Sequence, residues 1–313
     1  MAVVLLVVTF VAFAAIWLQP GDCFTNREMR DPEGVEQARE QLGLGKPFLA
    51  QYWHWIQSIF KGNFGVSCKS GFPPVTQVLF RGRLHWSLIL AGTVFILSWG
   101  IGVPLGIYSA VRQESGRDYT VRFFGTLSTA MPVFLLALFL ILLLYLINAK
   151  QWGLHIGRIM APQYVGVPWS WAKVLNVLLH LGPMVLMIVA VQWAVLARHL
   201  RGHLLDVLGQ PYIQVARSKG VSERWVVYKH ALRNALHPLI SLMGFWLPSL
   251  FESTLAVAII INLPIVELSL WDAIKSQDQY VVLGGLFFLG VVLIVGNLLA
   301  DLSLAWIDPR IRY

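Results

Sequence analysis

Apolar residues run through this chain in long blocks separated by polar intervals. Six blocks are long and apolar enough to cross about 30 Å of hydrocarbon, which takes a helix of roughly 20 residues. They are Met1–Leu18, Trp86–Val111, Phe123–Ile147, Val174–Ala197, Leu236–Ile261 and Tyr280–Trp306. The pattern predicts an all-α membrane protein with six transmembrane helices. It divides the chain into a first span (1–18), a cap segment (19–85) and a core of five further spans (86–313) that includes a long polar loop, 198–235. No basic residue precedes the first block, which makes it the weakest. A cleaved signal peptide would read similarly but needs a basic leader and a small-residue cleavage site. A start placed too late would also leave the end bare. The block is read as a span.

Within the spans, Pro104, Pro132, Pro183 and Pro248 each remove a backbone hydrogen bond that lipid cannot replace. Neighbouring helices must supply partners there. Gly100, Gly102 and Gly106, and later Gly284, Gly285, Gly290 and Gly296, permit close helix contacts inside the bundle or, as a second reading, at a dimer seam. The cap segment mixes a turn at Pro20–Asp22, an acidic amphipathic stretch over Pro32–Leu42 and an aromatic one over Tyr52–Phe60. These predict a small helical cap rather than a separate domain.

The interval Gln210–Pro238 is the longest polar, basic stretch in the second half. Tyr212–Lys219 lacks helix breakers, Gly220 interrupts, and Ser222 is placed to cap a second helix that runs to about Leu236. In that helix Trp225, Tyr228, Leu232 and Leu236 recur at helical spacing as one apolar stripe. Glu223, His230 and Asn234 fall on the far side, with Lys229 and Arg233 one turn apart beside them. Two readings fit: a surface built for a protein partner, or an ordinary basic loop.

Composition adds orientation. Hydrophobic residues make up 57% and charged residues 13%, against roughly 25% charged in a soluble domain. The net charge of +8 comes in short clusters between apolar blocks, a pattern of membrane topology rather than of nucleic-acid binding. The loops after the second and fourth spans, with the tail, carry Arg112, Arg117, Arg122, Arg198, Arg201 and a further run of bases; the short loops opposite hold Lys150, Arg158, Lys173 and Lys275. The positive-inside rule then places both termini and the 198–235 loop in the cytoplasm, and the cap outside. Cys23 and Cys68 both lie in the cap, where they form either a disulfide or two unpaired structural cysteines.

Catalytic constellations are missing. Gly43-Leu44-Gly45-Lys46-Pro47 has neither the spacing nor the hydroxyl of a phosphate loop, and neither HExxH nor GxSxG occurs. His199 and His203 stand four apart without a further ligand, as on a solvated helix face, so no metal site is expected. Glu252 sits near the middle of the fifth span, where an unpaired charge is costly. It is either a pathway residue or a hydrogen-bonded structural carboxyl. Asp301 reads as an interfacial helix-end residue. Energised work by this chain would draw on a partner or an ion gradient.

The stretch from Tyr212 to Gly220, YIQVARSKG, followed by HALRNA over His230–Ala235, resembles the EAA loop of binding-protein-dependent ABC importer permeases. It is most similar to the oligopeptide/dipeptide branch. The likeness extends to the Pro-Gly-Asp turn, to Gly62–Ser67, to the end of the second span from Leu105 to Asp118, and to the tail Asp301–Tyr313. It covers nearly the whole chain in order.

The resemblance implies a type I ABC importer permease bundle whose EAA loop forms a coupling helix on a separate ATPase. The contact residues it implies are Tyr212, Gln214, Ala216, Arg217, Lys219, Gly220, Val221, Ser222, Trp225, Lys229 and Arg233. ATP and Mg would be bound by the ATPase and no cofactor by this chain. The implied partners are the ATPase subunits, a second homologous permease (a heterodimer rather than a homodimer), an extracytoplasmic substrate-binding protein and membrane lipid, but not nucleic acid. The implied location is the bacterial inner membrane and the implied cargo a peptide or another small solute. The chain departs from the branch over Ala258–Glu267, where the usual acidic residue and both glycines are missing and Pro264 remains. Gln214 also stands in the glutamate place of the loop. The competing class is an ATPase-independent secondary transporter or channel using Glu252 and the proline kinks.

Overall fold

The computed structural model describes residues 2–18, 24 and 31–307; the turn at 20–22, Cys23 and the tail 308–313 lie outside the described residues. The chain is helical. In order, the first helices are α1 (Ala2–Trp17), α2 (Pro32–Leu42), α3 (Phe48–Phe60), α4 (Val75–Leu79), α5 (Leu84–Val111), α6 (Gly116–Ala130) and α7 (Val133–Leu146). They are followed by α8 (Trp171–Leu208), α9 (Pro211–Ser218), α10 (Glu223–Trp225), a π-helical turn (Val226–Ala231) and α11 (Leu232–Ser241). The last are α12 (Met243–Ile261), α13 (Val266–Lys275) and α14 (Gln279–Ile307).

Four of these are long and apolar enough to cross a membrane by themselves: α5, α8, α12 and α14. The expected first span falls short, because α1 has 16 residues, or about 24 Å at 1.5 Å per residue. The expected third span is broken. α6 and α7 meet at 89°, with Met131 in extended backbone before Pro132. A residue before proline is pushed out of the helical region, and Pro132 then starts α7 with no side-chain cap. Among the described residues, then, four helices can cross alone, or five if the bent pair counts as one, and α1 remains a shorter apolar helix beside them. By contrast Pro104, Pro183 and Pro248 sit inside α5, α8 and α12 without ending them.

The chain forms two compact units. The first comprises residues 1–88 and 263–294, so the segment after α12 joins the amino-terminal helices rather than the core. Asp31 caps α2 through the Gly34 amide at 3.0 Å, Pro32 occupies the first turn, and Gly43 ends the helix in the left-handed conformation. The glycines of the Gly43–Pro47 stretch are therefore chain-turning residues. Val35, Ala38 and Leu42 fall on one buried face of α2, as the amphipathic pattern predicts. Phe13 of α1 packs among Phe48, Tyr52 and Trp55 of α3, ring centroids 5.5–5.9 Å away. Gly284 of α14 lies so near α4 that a Cβ there would come within 2.8 Å of Val75.

This unit also buries two carboxylates. Glu267 accepts a hydrogen bond from the Ser87 hydroxyl at 2.6 Å. Asp278 accepts from the Ser67 hydroxyl and from the Cys68 amide. Cys68 is buried and is not a free thiol.

The second unit comprises residues 89–262 and the described part of 295–313. Its core joins Ile107 and Ala110 of α5, Leu196, Leu200 and Leu204 of α8, and Ile213 to the buried face of the chain after Gly220. Gly106 lets α5 approach α8 closely; a Cβ there would lie 2.9 Å from the Ala197 carbonyl oxygen. α6 packs along α8, and α7 packs on α8 and α12. The helical reading of 212–236 thus lies on a support rather than in an open loop.

Candidate functional site

α9 opens with Pro211 in its first turn and turns Ile213 fully into the core of the second unit. It closes on Gly220, whose φ of +76° places it in the left-handed region. The Gly220 amide donates to Arg217 O at 2.9 Å and the Val221 amide to Ala216 O at 3.3 Å. These two bonds satisfy the last carbonyls of α9 and turn the chain sharply, which an L side chain at this φ would strain.

Two polar contacts then tie the helices on either side of the turn. Arg217 donates through Nε and Nη2 to the two oxygens of Glu223, at 3.1 and 2.6 Å. This bond holds the Glu223 carboxyl below its ordinary pKa and raises that of Arg217. Asn234 Nδ2 donates to Tyr212 Oη at 2.7 Å. Helical spacing within one element could not reveal either pair, since each bridges two elements. Ser222 stands at the start of α10, but its side chain makes no capping bond there, contrary to the expectation from its type.

The apolar stripe also differs from the expected one. Across the π-turn each helical turn takes in an extra residue, so the inward positions become Val226, Val227, Ala231, Ala235 and Leu239. Trp225 and Tyr228, counted on one face with Leu232 and Leu236 by a 3.6-residue period, point outward instead and are 56% and 61% exposed. Leu232 and Leu236 are half-buried against the core. The Lys229 ammonium lies over the Trp225 ring, 4.4 Å from its centroid.

The outer face therefore presents Tyr212, Val215, Trp225 and Tyr228 among the exposed polar residues Gln214, Lys219, Ser222 and Arg233. Ala216 and Val221 are half-buried and pack on the core. An exposed aromatic and aliphatic patch rimmed by polar groups, on a rigid backing, is suited to seat a protein partner.

A second charged cluster was invisible to pattern reading, which counted Arg201 among the loop bases and met Asp118 only as the end of the family-like stretch after the second span. Asp118, fully buried near the start of α6, accepts from Arg201 Nε at 2.9 Å and Nη2 at 2.7 Å. It also accepts from the Glu114 amide at 3.0 Å and from the Ser109 hydroxyl. Arg201 lies past Ala197, where the apolar block of α8 ends, and Asp118 precedes Phe123, where the next block begins, so the cluster stands outside the apolar blocks that cross the membrane. The guanidinium beside it lowers the Asp118 pKa to about 2, burial opposing the shift.

Of the remaining expected residues, Glu252 is exposed on α12 and Asp301 is exposed near the end of α14. His199 directs its ring to the Val195 carbonyl. Cys68 lies in the first unit; Cys23 lies outside the described residues.

A family model described as binding-protein-dependent transport system inner membrane component matches residues 102–313, which include both charged clusters and the whole of the turn at Gly220. The chain belongs to this family. The model for the amino-terminal part of such membrane components matches residues 1–90. The oligopeptide transport system permease protein AppB of Bacillus subtilis is 32% identical, covering 99% of this chain and 96% of its own length. The dipeptide transport system permease protein DppB of Escherichia coli K12 is 30% identical over 98% of this chain and 94% of its own. The glutathione transport system permease protein GsiC of Shigella flexneri is 31% identical over 99% and 95%. The likeness read from the residues of 212–235 thus extends over the family member as a whole, a multi-pass inner membrane protein of the oligopeptide/dipeptide permease type.

Proposed function

We propose that this family member forms the solute pathway of an ATP-driven importer for a peptide or another small solute. In this reading it receives its power stroke through the face of 210–238. The observation that carries it is the turn at Gly220: two helices clamped by Arg217–Glu223 and Asn234–Tyr212, backed by α8, with Trp225 and Tyr228 left outward. A clamped, rigid element transmits force; a loose basic loop would dissipate it. The outward aromatics serve as anchors in a groove of the ATPase subunit, and the basic residues pair at its rim. ATP and Mg act on that subunit, and this face lies in the cytoplasm.

Glu252 supports a second permease subunit. A carboxylate exposed on an apolar helix needs protein or water rather than lipid beside it. A pathway between this chain and a different, homologous permease supplies both, and an extracytoplasmic binding protein delivers the solute.

The test is co-purification of the ATPase with a Trp225→Ala/Tyr228→Ala variant inserted normally in the membrane. Loss of two anchors at about 2 kcal/mol each weakens association by roughly a thousandfold. Undiminished ATPase recovery would refute the coupling face.

A further inference from the structure

Away from the coupling face, a cavity of about 370 Å³ opens between α6 and α8, and Arg122, Arg198 and Arg201 line it. Its lining among the described residues holds no carboxylate. Arg201 commits Nε and Nη2 to the buried Asp118. Arg198 donates to a neutral partner, Thr129 Oγ1, at 3.1 Å. Arg122 lies over the Tyr119 ring at 5.6 Å. One carboxylate thus serves three guanidiniums, and the cavity keeps a surplus of positive charge.

Its depth is set by α8. Trp193, Ala194 and Ala197 form the apolar end of the wall, and the next turn carries Arg198 and Arg201. Beside Arg122, Phe123 and Leu127 of α6 stand 64% and 49% exposed. Tryptophan and arginine at the end of an apolar block mark the headgroup level of a bilayer. We propose that this cavity binds the phosphate group of an anionic phospholipid. The planar forks of Arg122 and Arg198 suit two-oxygen contacts to phosphate, and basic pockets between membrane helices take such headgroups. The acyl chains would cover Phe123 and Leu127, which a soluble anion would leave in water.

The experiment uses the transporter purified through this chain and placed in nanodiscs of mixed phosphatidylglycerol and phosphatidylcholine. Native mass spectrometry reads the lipid retained. Two variants are compared: Arg122→Gln/Arg198→Gln, which leaves the Asp118–Arg201 pair in place, and Thr126→Glu, which sets a carboxylate in the lining without removing any arginine. The wild type retains phosphatidylglycerol selectively, and the double variant retains it about thirtyfold less, two surface cations being removed. Thr126→Glu shifts retention the same way and decides the matter if the double variant does not fold. Inorganic phosphate added to phosphatidylcholine-only nanodiscs separates the two sources of the anion. Saturable phosphate binding without selectivity for phosphatidylglycerol would overturn the lipid assignment. Equal phosphatidylglycerol retention by wild type and variants would overturn the site.

Discussion

Two arginine–carboxylate pairs in the second unit have the same fork geometry and opposite surroundings. Arg201–Asp118 has a fully buried carboxylate and a guanidinium 20% exposed. In Arg217–Glu223 the side chains are 42% and 54% exposed. Water screens the exposed pair, so such bridges add only about 0–1 kcal/mol. Removing one partner of a buried pair strands the other and costs about 3–5 kcal/mol. The comparison assigns different work to the two. Asp118 holds the α5–α6 corner against α8 as part of the fold, while Glu223 fixes the angle of the surface turn that is proposed to meet a partner.

Asp118→Ala should separate the two most strongly. It strands Arg201, leaving only its partial exposure to soften the cost, and lowers stability by about 3 kcal/mol. Thermal unfolding of the detergent-solubilised protein reads this. A loss no larger than that from Glu223→Ala would erase the distinction.

The pH response sharpens the same contrast. The Asp118 pKa is lowered to about 2 from 3.8, so its contribution is complete above 3.8 and disappears as pH falls through about 2. Its size is on the order of 2 kcal/mol. The stability gap between wild type and Asp118→Asn should therefore narrow as pH drops from 4 toward 2. A gap constant across that window would contradict the ion pair.

Gly220→Ala is expected to cost about 1–2 kcal/mol, because its φ of +76° is one that L side chains rarely adopt, while no neighbour crowds a Cβ there. Gly220→Pro, whose ring fixes φ near −65°, should abolish transport while membrane insertion persists. The smallest stability change belongs to Glu223→Gln, below about 1 kcal/mol. Its ATPase recovery should nonetheless fall, since the clamp across the turn is lost. A drop in stability without a drop in recovery would make Glu223 merely structural.

The difference between the two clusters also marks what could be read from residues alone. Long apolar blocks announced α5, α8, α12 and α14, because lipid-facing length is a local property. The break at Met131–Pro132 was signalled by a proline, but so were three others that their helices absorb, and only packing separates these cases. The turn at Gly220 was legible through glycine; the orientation of Trp225 and Tyr228 was not, because a π-turn changes the phase on which periodicity relies. Asp118 with Arg201 lies 83 positions apart, beyond any spacing rule. The same holds for Ser67 with Asp278, which joins the cap to the start of α14.

The proposed coupling face is tested most directly by a photo-crosslinking residue at Tyr228, compared with one at the buried Val227 beside it, in membranes containing the whole transporter. A crosslink to the ATPase subunit is expected from position 228 and none from 227. Capture of lipid alone from position 228, with transport intact, would contradict it.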